Sequence, residues 1–169
     1  ASKDGRRLLN IQEIDIFRLL RECVGIVQTR YNLPENTIHF RRSENEITVS
    51  GDWMELQAAF TNLLDNAVKY SEKGAKVFIE ARDADKKTVE IRIIDSGIGI
   101  VPKEAKRIFK RFYRVPNLST QKAKGTGLGL YIVQAIVKKH GGKISIESAG
   151  EGAGSTFIVK LPKALNGKS

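Results

Sequence analysis

The sequence predicts an α+β fold arranged as a two-layer sandwich. Three segments space their apolar residues as helices do, and about six others have strand length and strand patterning. Several of the strands are joined by short polar or glycine-rich connections that suit hairpins. A doubly wound parallel sheet would instead need a helix between successive strands. The 169 residues suit one domain, and 41% hydrophobic with 28% charged residues sets the chain apart from disordered and collagenous classes.

Taken in order, Asp15 is a good N-cap for a helix to about Tyr31, with Phe17, Leu20, Val24 and Val27 on one face; Asn32 and Pro34 end it. Residues 37–41 and 46–50 read as two short strands around an Arg-Ser-Glu-Asn turn. Gly51-Asp52 then opens a second helix lasting to about Tyr70. Residues 75–82 and 88–94 form a hairpin across the polar turn 83–87. Pro102 suits the first turn of a short basic helix, and residues 115–124 show no periodicity and read as a mobile loop. A third helix follows from Gly127, stopped by Gly141-Gly142 just after His140. Residues 143–148 and 156–161 are strands around a glycine-rich loop.

The net charge of +10 is unevenly placed. Residues 103–124 hold eight basic side chains against the single acid Glu104. A patch of this kind fits a polyphosphate, an acidic partner or DNA, and a solvated helix face is the plain alternative. The single cysteine, Cys23, excludes an internal disulfide, and His39 and His140 lie too far apart in sequence for metal-ligand spacing. No apolar run reaches the roughly 20 residues of a membrane span. The polar start at Ala1, without a Met, reads as a cytoplasmic segment of something longer, with membrane anchoring of that parent left open.

Three segments carry chemistry. In the second helix, Leu56, Phe60, Leu63, Leu64 and Ala67 form the apolar face, while Asn62, Asn66 and Lys69 form a separate stripe. An interior Asn costs a helix about 0.6 kcal/mol relative to Ala, so two of them one turn apart ask for a reason. An amide oxygen suits Mg²⁺, and a hydrogen-bonded surface stripe is the alternative. A strand runs directly into Asp95-Ser96-Gly97-Ile98-Gly99-Ile100, where a fixed carboxylate can accept from an exocyclic amine while glycines let the backbone approach a flat ring; a plain tight turn has the same composition. Lys124-Gly125-Thr126-Gly127-Leu128-Gly129-Leu130 opens into a helix, whose free N–H groups and positive dipole end favour an anion, although glycines for close helix packing would look the same. Neither glycine cluster matches the two commonest nucleotide loops.

In this order the segments NLLDNAVKYS, DSGIGI, RIFKRFYRV and GTGLGLYIV resemble the N, G1, F and G2 boxes of the ATP-binding domain of sensor histidine kinases, over about residues 14–162 and with no box departing from the pattern. The resemblance implies the ATP-binding fold shared with gyrase B, heat-shock chaperone ATPases and mismatch-repair ATPases: a mixed sheet covered on one face by three helices, with a mobile ATP lid. Phe109 and Phe112 together with GLGL point to the kinase branch. Residues 13–163 would be the catalytic domain, 1–12 the end of a preceding phosphotransfer region and 164–169 a polar tail.

Carried over, the resemblance makes ATP and Mg²⁺ the ligands. Asn66 would hold the metal, Asn62 would line the phosphate side, and Lys69 would reach the phosphates. Tyr70 would lie near the nucleotide, and Asp95 would accept from the adenine amine beside Gly97, Gly99 and Ile100. Arg114 and Lys124 would be lid cations; Gly125, Thr126, Gly127, Leu128, Gly129 and Leu130 would bring the helix start over the phosphates; Thr156 would join through water. Catalysis would rest on Asn62, Lys69 and Arg114. The family's acceptor histidine precedes an acid, which neither His39 nor His140 does. The implied partners are therefore the protein's own phosphotransfer helical hairpin and a response-regulator receiver domain, with no nucleic acid; this piece would be monomeric and the full protein a homodimer. Rival readings are a serine kinase of the anti-sigma type or a stand-alone ATPase on this fold, or a module whose basic segment grips DNA or an acidic protein.

Overall fold

A computed structural model describes residues 8–41, 45–69, 76–96, 109, 129–148 and 154–164. In chain order the elements are β1 (Gln12–Asp15), α1 (Ile16–Tyr31), β2 (Ile38–Arg41), β3 (Thr48–Gly51), α2 (Trp53–Lys69), β4 (Val77–Asp83), β5 (Thr88–Asp95), α3 (Gly129–Lys139), β6 (Lys143–Glu147) and β7 (Ser155–Pro162). Five strands form a mixed sheet in the order β2-β4-β5-β7-β6, parallel between β2 and β4 and antiparallel elsewhere. The α+β sandwich expected from the sequence is the fold observed.

Strand residues alternate faces, and the register shows which face the helices cover. Val77, Ile79 and Ala81 of β4 align with Asp95, Ile93 and Ile91 of β5, which align in turn with Ser155, Phe157 and Val159 of β7. The apolar members of this set are buried and share one core with Leu19, Leu20 and Val27 of α1, Leu56, Phe60 and Leu63 of α2, and Val133 and Val137 of α3. Burying such side chains contributes about 1.5–3 kcal/mol each, so this interface dominates the stability.

Local signals set the helix ends. Asp15 Oδ1 accepts from the N–H groups of Phe17 (3.0 Å) and Arg18 (3.3 Å), and Asn32 closes α1 in a left-handed conformation at φ 50°. Asp52 caps α2: Oδ1 accepts from Glu55 N–H (3.0 Å) and its carbonyl from Leu56 N–H (2.9 Å).

The two short strands early in the chain find different partners from the turn read between them. β2 pairs parallel with β4, which sets Ile38 and Phe40 beside Val77 and Ile79, whereas β3 pairs antiparallel with β1. Sequence reasoning missed β1, because among Gln-Glu-Ile-Asp only Ile14 is buried and four such residues carry no strand signal. The expected basic helix after Pro102 and the loop to residue 124 lie outside the described residues, apart from Phe109.

The other sheet face carries a charged network beside Ile158. Glu90, only 5% exposed, accepts from Arg82 Nε (3.0 Å) and Arg92 Nε (2.9 Å). Burial pushes its carboxyl up, but hydrogen bonds and charge from Arg92 and Arg82 outweigh that and hold it below its ordinary value of 4.5. A folded-state value below the unfolded one gives stability that is fully present above about pH 4.5 and is lost as pH falls through the folded value. Urea unfolding between about pH 6 and about pH 3 should therefore lose stability less steeply in Glu90→Gln than in the wild type. Equal slopes would show that the network contributes nothing. Burial also pushes the Cys23 thiol up to about 11, which keeps this core residue protonated and unreactive near neutral pH.

Candidate functional site

Asn62 and Asn66 lie one turn apart on α2, and each turns its amide back on its own helix. Asn62 Nδ2 donates to Ala58 O (2.9 Å), and Asn66 Nδ2 donates to Asn62 O (3.2 Å). Both N–H₂ groups thus bond to the backbone of their own helix, and each amide keeps an oxygen that can only accept. Lys69 is the last residue of the same helix.

The first residue of α3 sits against this pair. A Cβ built on Gly129 would stand 3.6 Å from Asn62 Oδ1 and 4.0 Å from Asn66 Nδ2, and Leu130, half-buried, follows it. The start of a helix carries unpaired N–H groups and the positive end of the dipole. Two asparagine side chains and a helix start thus meet at one end of the α2–α3 pair, with Asn62 Oδ1 nearest, a combination of groups suited to a hydrated hard cation and an anion together. Among the described residues no group of three or more His, Cys, Asp and Glu side chains could hold a metal ion. The preceding glycines, Gly125 and Gly127, with Lys124, Thr126 and Leu128, lie outside the described residues, as do Tyr70, Gly97, Gly99, Ile100 and Arg114.

Asp95 closes β5 on the helix-covered face, where it is 7% exposed between Val77 of β4 and Ser155 of β7. Its Oδ2 accepts from Ser155 Oγ (3.0 Å). Gly154, at φ +75°, makes the approach possible: a Cβ there would stand 2.2 Å from the Asp95 carbonyl oxygen. Thr156, expected at the site, pairs with Ile94 and so projects to the opposite face from Asp95. Ser155 is the hydroxyl that reaches the carboxylate. The sequence reading missed it because two adjacent hydroxyls are separated only by strand register, which one sequence does not give. Phe109, from the third of the four segments, is buried and meets Phe157 edge-on at 6.3 Å.

His140, set aside in the sequence as a metal ligand and as an acceptor and placed just before a helix stop, is buried at the opposite end of α3. Its Nδ1 donates to Ile136 O (2.8 Å) and its Nε2 accepts from Asp52 N–H (3.0 Å). His39 stacks on Phe78 with ring centroids 5.1 Å apart. Its Nε2 is buried and has no hydrogen-bond partner among the described residues.

The sequence matches the family described as histidine kinase-, DNA gyrase B-, and HSP90-like ATPase over residues 51–165. Among curated proteins, sensor protein SrrB of Staphylococcus aureus is 40% identical over 114 residues, 68% of this chain and 19% of that protein. The chain thus spans about a fifth of the length of the curated relatives it matches. Among solved structures, the mycobacterial sensor histidine kinase MprB superposes with a TM-score of 0.77 at 31% identity, over 90% of this chain and 97% of that one. Full-length ShkA in complex with AMPPNP gives 0.78 at 28% identity, over 94% of this chain and 32% of that one.

Proposed function

Because the chain belongs to the histidine kinase-, DNA gyrase B- and HSP90-like ATPase family, we propose that it binds Mg-ATP as the catalytic domain of a two-component sensor histidine kinase. The observation that carries this reading is the meeting of the α3 start with the side chains of Asn62 and Asn66, Asn62 Oδ1 being the nearest polar atom. The complex of ShkA with the ATP analogue AMPPNP supports it.

In this reading Asn66 would contribute the protein oxygen to Mg²⁺, with its Nδ2 tied to Asn62 O. When bound, Mg²⁺ neutralises phosphate charge. Asn62 and Lys69 face the phosphates, with Arg114 and Lys124 as further cations. Gly125, Thr126, Gly127, Leu128, Gly129 and Leu130 supply backbone around the triphosphate. Asp95 accepts the adenine amine beside Tyr70, Gly97, Gly99 and Ile100, and Ser155, instead of Thr156, holds its carboxylate. Phosphoryl transfer asks mainly for positioning and charge neutralisation, which these groups provide without a covalent step on this domain.

The acceptor imidazole belongs to another part of the protein. His140 has both nitrogens engaged inside the fold, and His39 buries its Nε2 in the stack on Phe78. In the proposed sequence, the P–O bond to ADP breaks as the γ-phosphorus bonds to a histidine nitrogen on a helical hairpin, and the phosphoryl group then passes to a response-regulator aspartate. No described helix is long and apolar enough to cross a membrane.

Isothermal titration of the chain with ATP should give one site whose affinity depends on Mg²⁺. No heat at about millimolar nucleotide, where binding free energies fall to roughly 4 kcal/mol, overturns the proposal.

A further inference from the structure

Helices α2 and α3 are joined at both ends. At one end Gly129 lies against Asn62 and Asn66. At the other, Lys139 Nζ donates to Glu55 Oε1 (2.7 Å), and the His140 ring lies between the helices. Its Nδ1–H takes the carbonyl of Ile136, one turn back on α3, and its Nε2 takes the N–H of Asp52, the cap of α2. A neutral imidazole with the proton on Nδ1 satisfies both bonds, and the ring thereby fixes how far α3 slides along α2.

The space around the ring leaves it little freedom. A Cβ on Gly51 would come within 2.9 Å of His140 Cδ2 and 2.6 Å of Leu56 Cδ1, so the strand preceding α2 closes directly over the imidazole. Asp52, 2% exposed, has its carboxylate held by Glu55 N–H and by Asn10 N–H (2.9 Å), so the cap that His140 grips is itself immobilised. On the α3 side the chain turns away at once, with Gly141 at φ +77° and Gly142 N–H on Val137 O (2.9 Å). The imidazole is bound by rigid backbone on both sides.

The geometry points to His140 as a positioning residue: it sets the axial register of α3 on α2, and so the placement of the Gly129 helix start over the amides of Asn62 and Asn66. An α3 of 11 residues rises about 16 Å, so the residue acts at the far end through a rigid element and touches no ligand. The consequence for nucleotide affinity rests on the ATP-binding reading; the register itself does not.

Three variants of the whole chain test this, with folding checked by circular dichroism and cooperative melting. His140→Phe keeps ring bulk and removes both nitrogens. His140→Gln can place an amide oxygen where Nε2 accepts from Asp52. His140→Asn can only satisfy Ile136 O. The first readout is the side-chain amide resonances of Asn62 and Asn66 without nucleotide; the second is Mg-ATP affinity. His140→Phe and His140→Asn should shift those resonances and weaken Mg-ATP binding about tenfold, the scale on which supporting contacts tune a site, and His140→Gln should restore most of both. Folded His140→Phe protein with unmoved resonances and unchanged affinity would overturn the inference. If His140→Phe does not fold, the contrast between Gln and Asn decides, and equal behaviour overturns it. A wild-type chain that binds no ATP defeats the functional proposal alone, since the resonances still report the register.

Discussion

Asp95→Asn should raise the dissociation constant for ATP roughly ten- to a hundredfold, the range expected when a hydrogen bond to a charged acceptor is lost. The carboxylate is 7% exposed at the end of β5, in register with Val77 on one side and Ser155 on the other, so it has little freedom to turn away. One oxygen takes Ser155 Oγ–H, and in the proposed site the carboxylate accepts the exocyclic amine of a purine. An asparagine can still accept from Ser155, so the fold should hold, but its N–H₂ would then oppose another N–H₂. Specificity gives the sharper measurement. Wild-type protein should bind ATP far more tightly than inosine triphosphate, which lacks the amine, and Asp95→Asn should shrink that preference. A variant with unchanged affinity and preference would remove Asp95 from the site.

Gly154→Ala should destabilise the chain by about 3 kcal/mol, at the upper end of what backbone strain costs. The added methyl meets two obstacles at once. The backbone sits at φ +75°, which L side chains rarely adopt, and the new Cβ would stand 2.2 Å from the Asp95 carbonyl oxygen and 3.1 Å from Ser96 Cα. Relaxation has to pull β7 away from β5, and with it the Ser155–Asp95 bond. Urea unfolding should therefore show a lower midpoint with an unchanged slope, and residual ATP binding should weaken as well. Gly25→Ala is the control. It lies within α1 with nothing inside 4 Å of its Cβ, and it should stabilise the helix by about 0.5–1 kcal/mol. Equal stability of the two variants would show that the Gly154 conformation is not required.

Much of this arrangement could be read from residue order because the signals were local. Asp15 and Asn32 bracket α1, the apolar spacing of α2 sets Asn62 and Asn66 on a stripe apart from the core, and Gly141-Gly142 stops α3. What could not be read depended on which strands meet. The partner of β2 lies beyond α2, and β1 has a single buried residue to announce it. The choice between Ser155 and Thr156 turned on the register with Asp95, and His140 acquired its role only when α3 returned its end to the cap of α2. A helix reports itself in its own sequence; a pairing needs both members.

That single parallel pairing also bears on how the chain assembles. The β4–β5 hairpin closes over a few residues, whereas β2 reaches β4 across 39 positions, from Arg41 to Glu80, with α2 lying between them in the chain. Closing the larger loop costs more entropy and returns little until α2 has packed. β2 forms one margin of the sheet and bonds only to β4, so its amides should exchange with deuterium sooner than those of β4 and β5, and until it docks the edge of β4 stays open to mispairing.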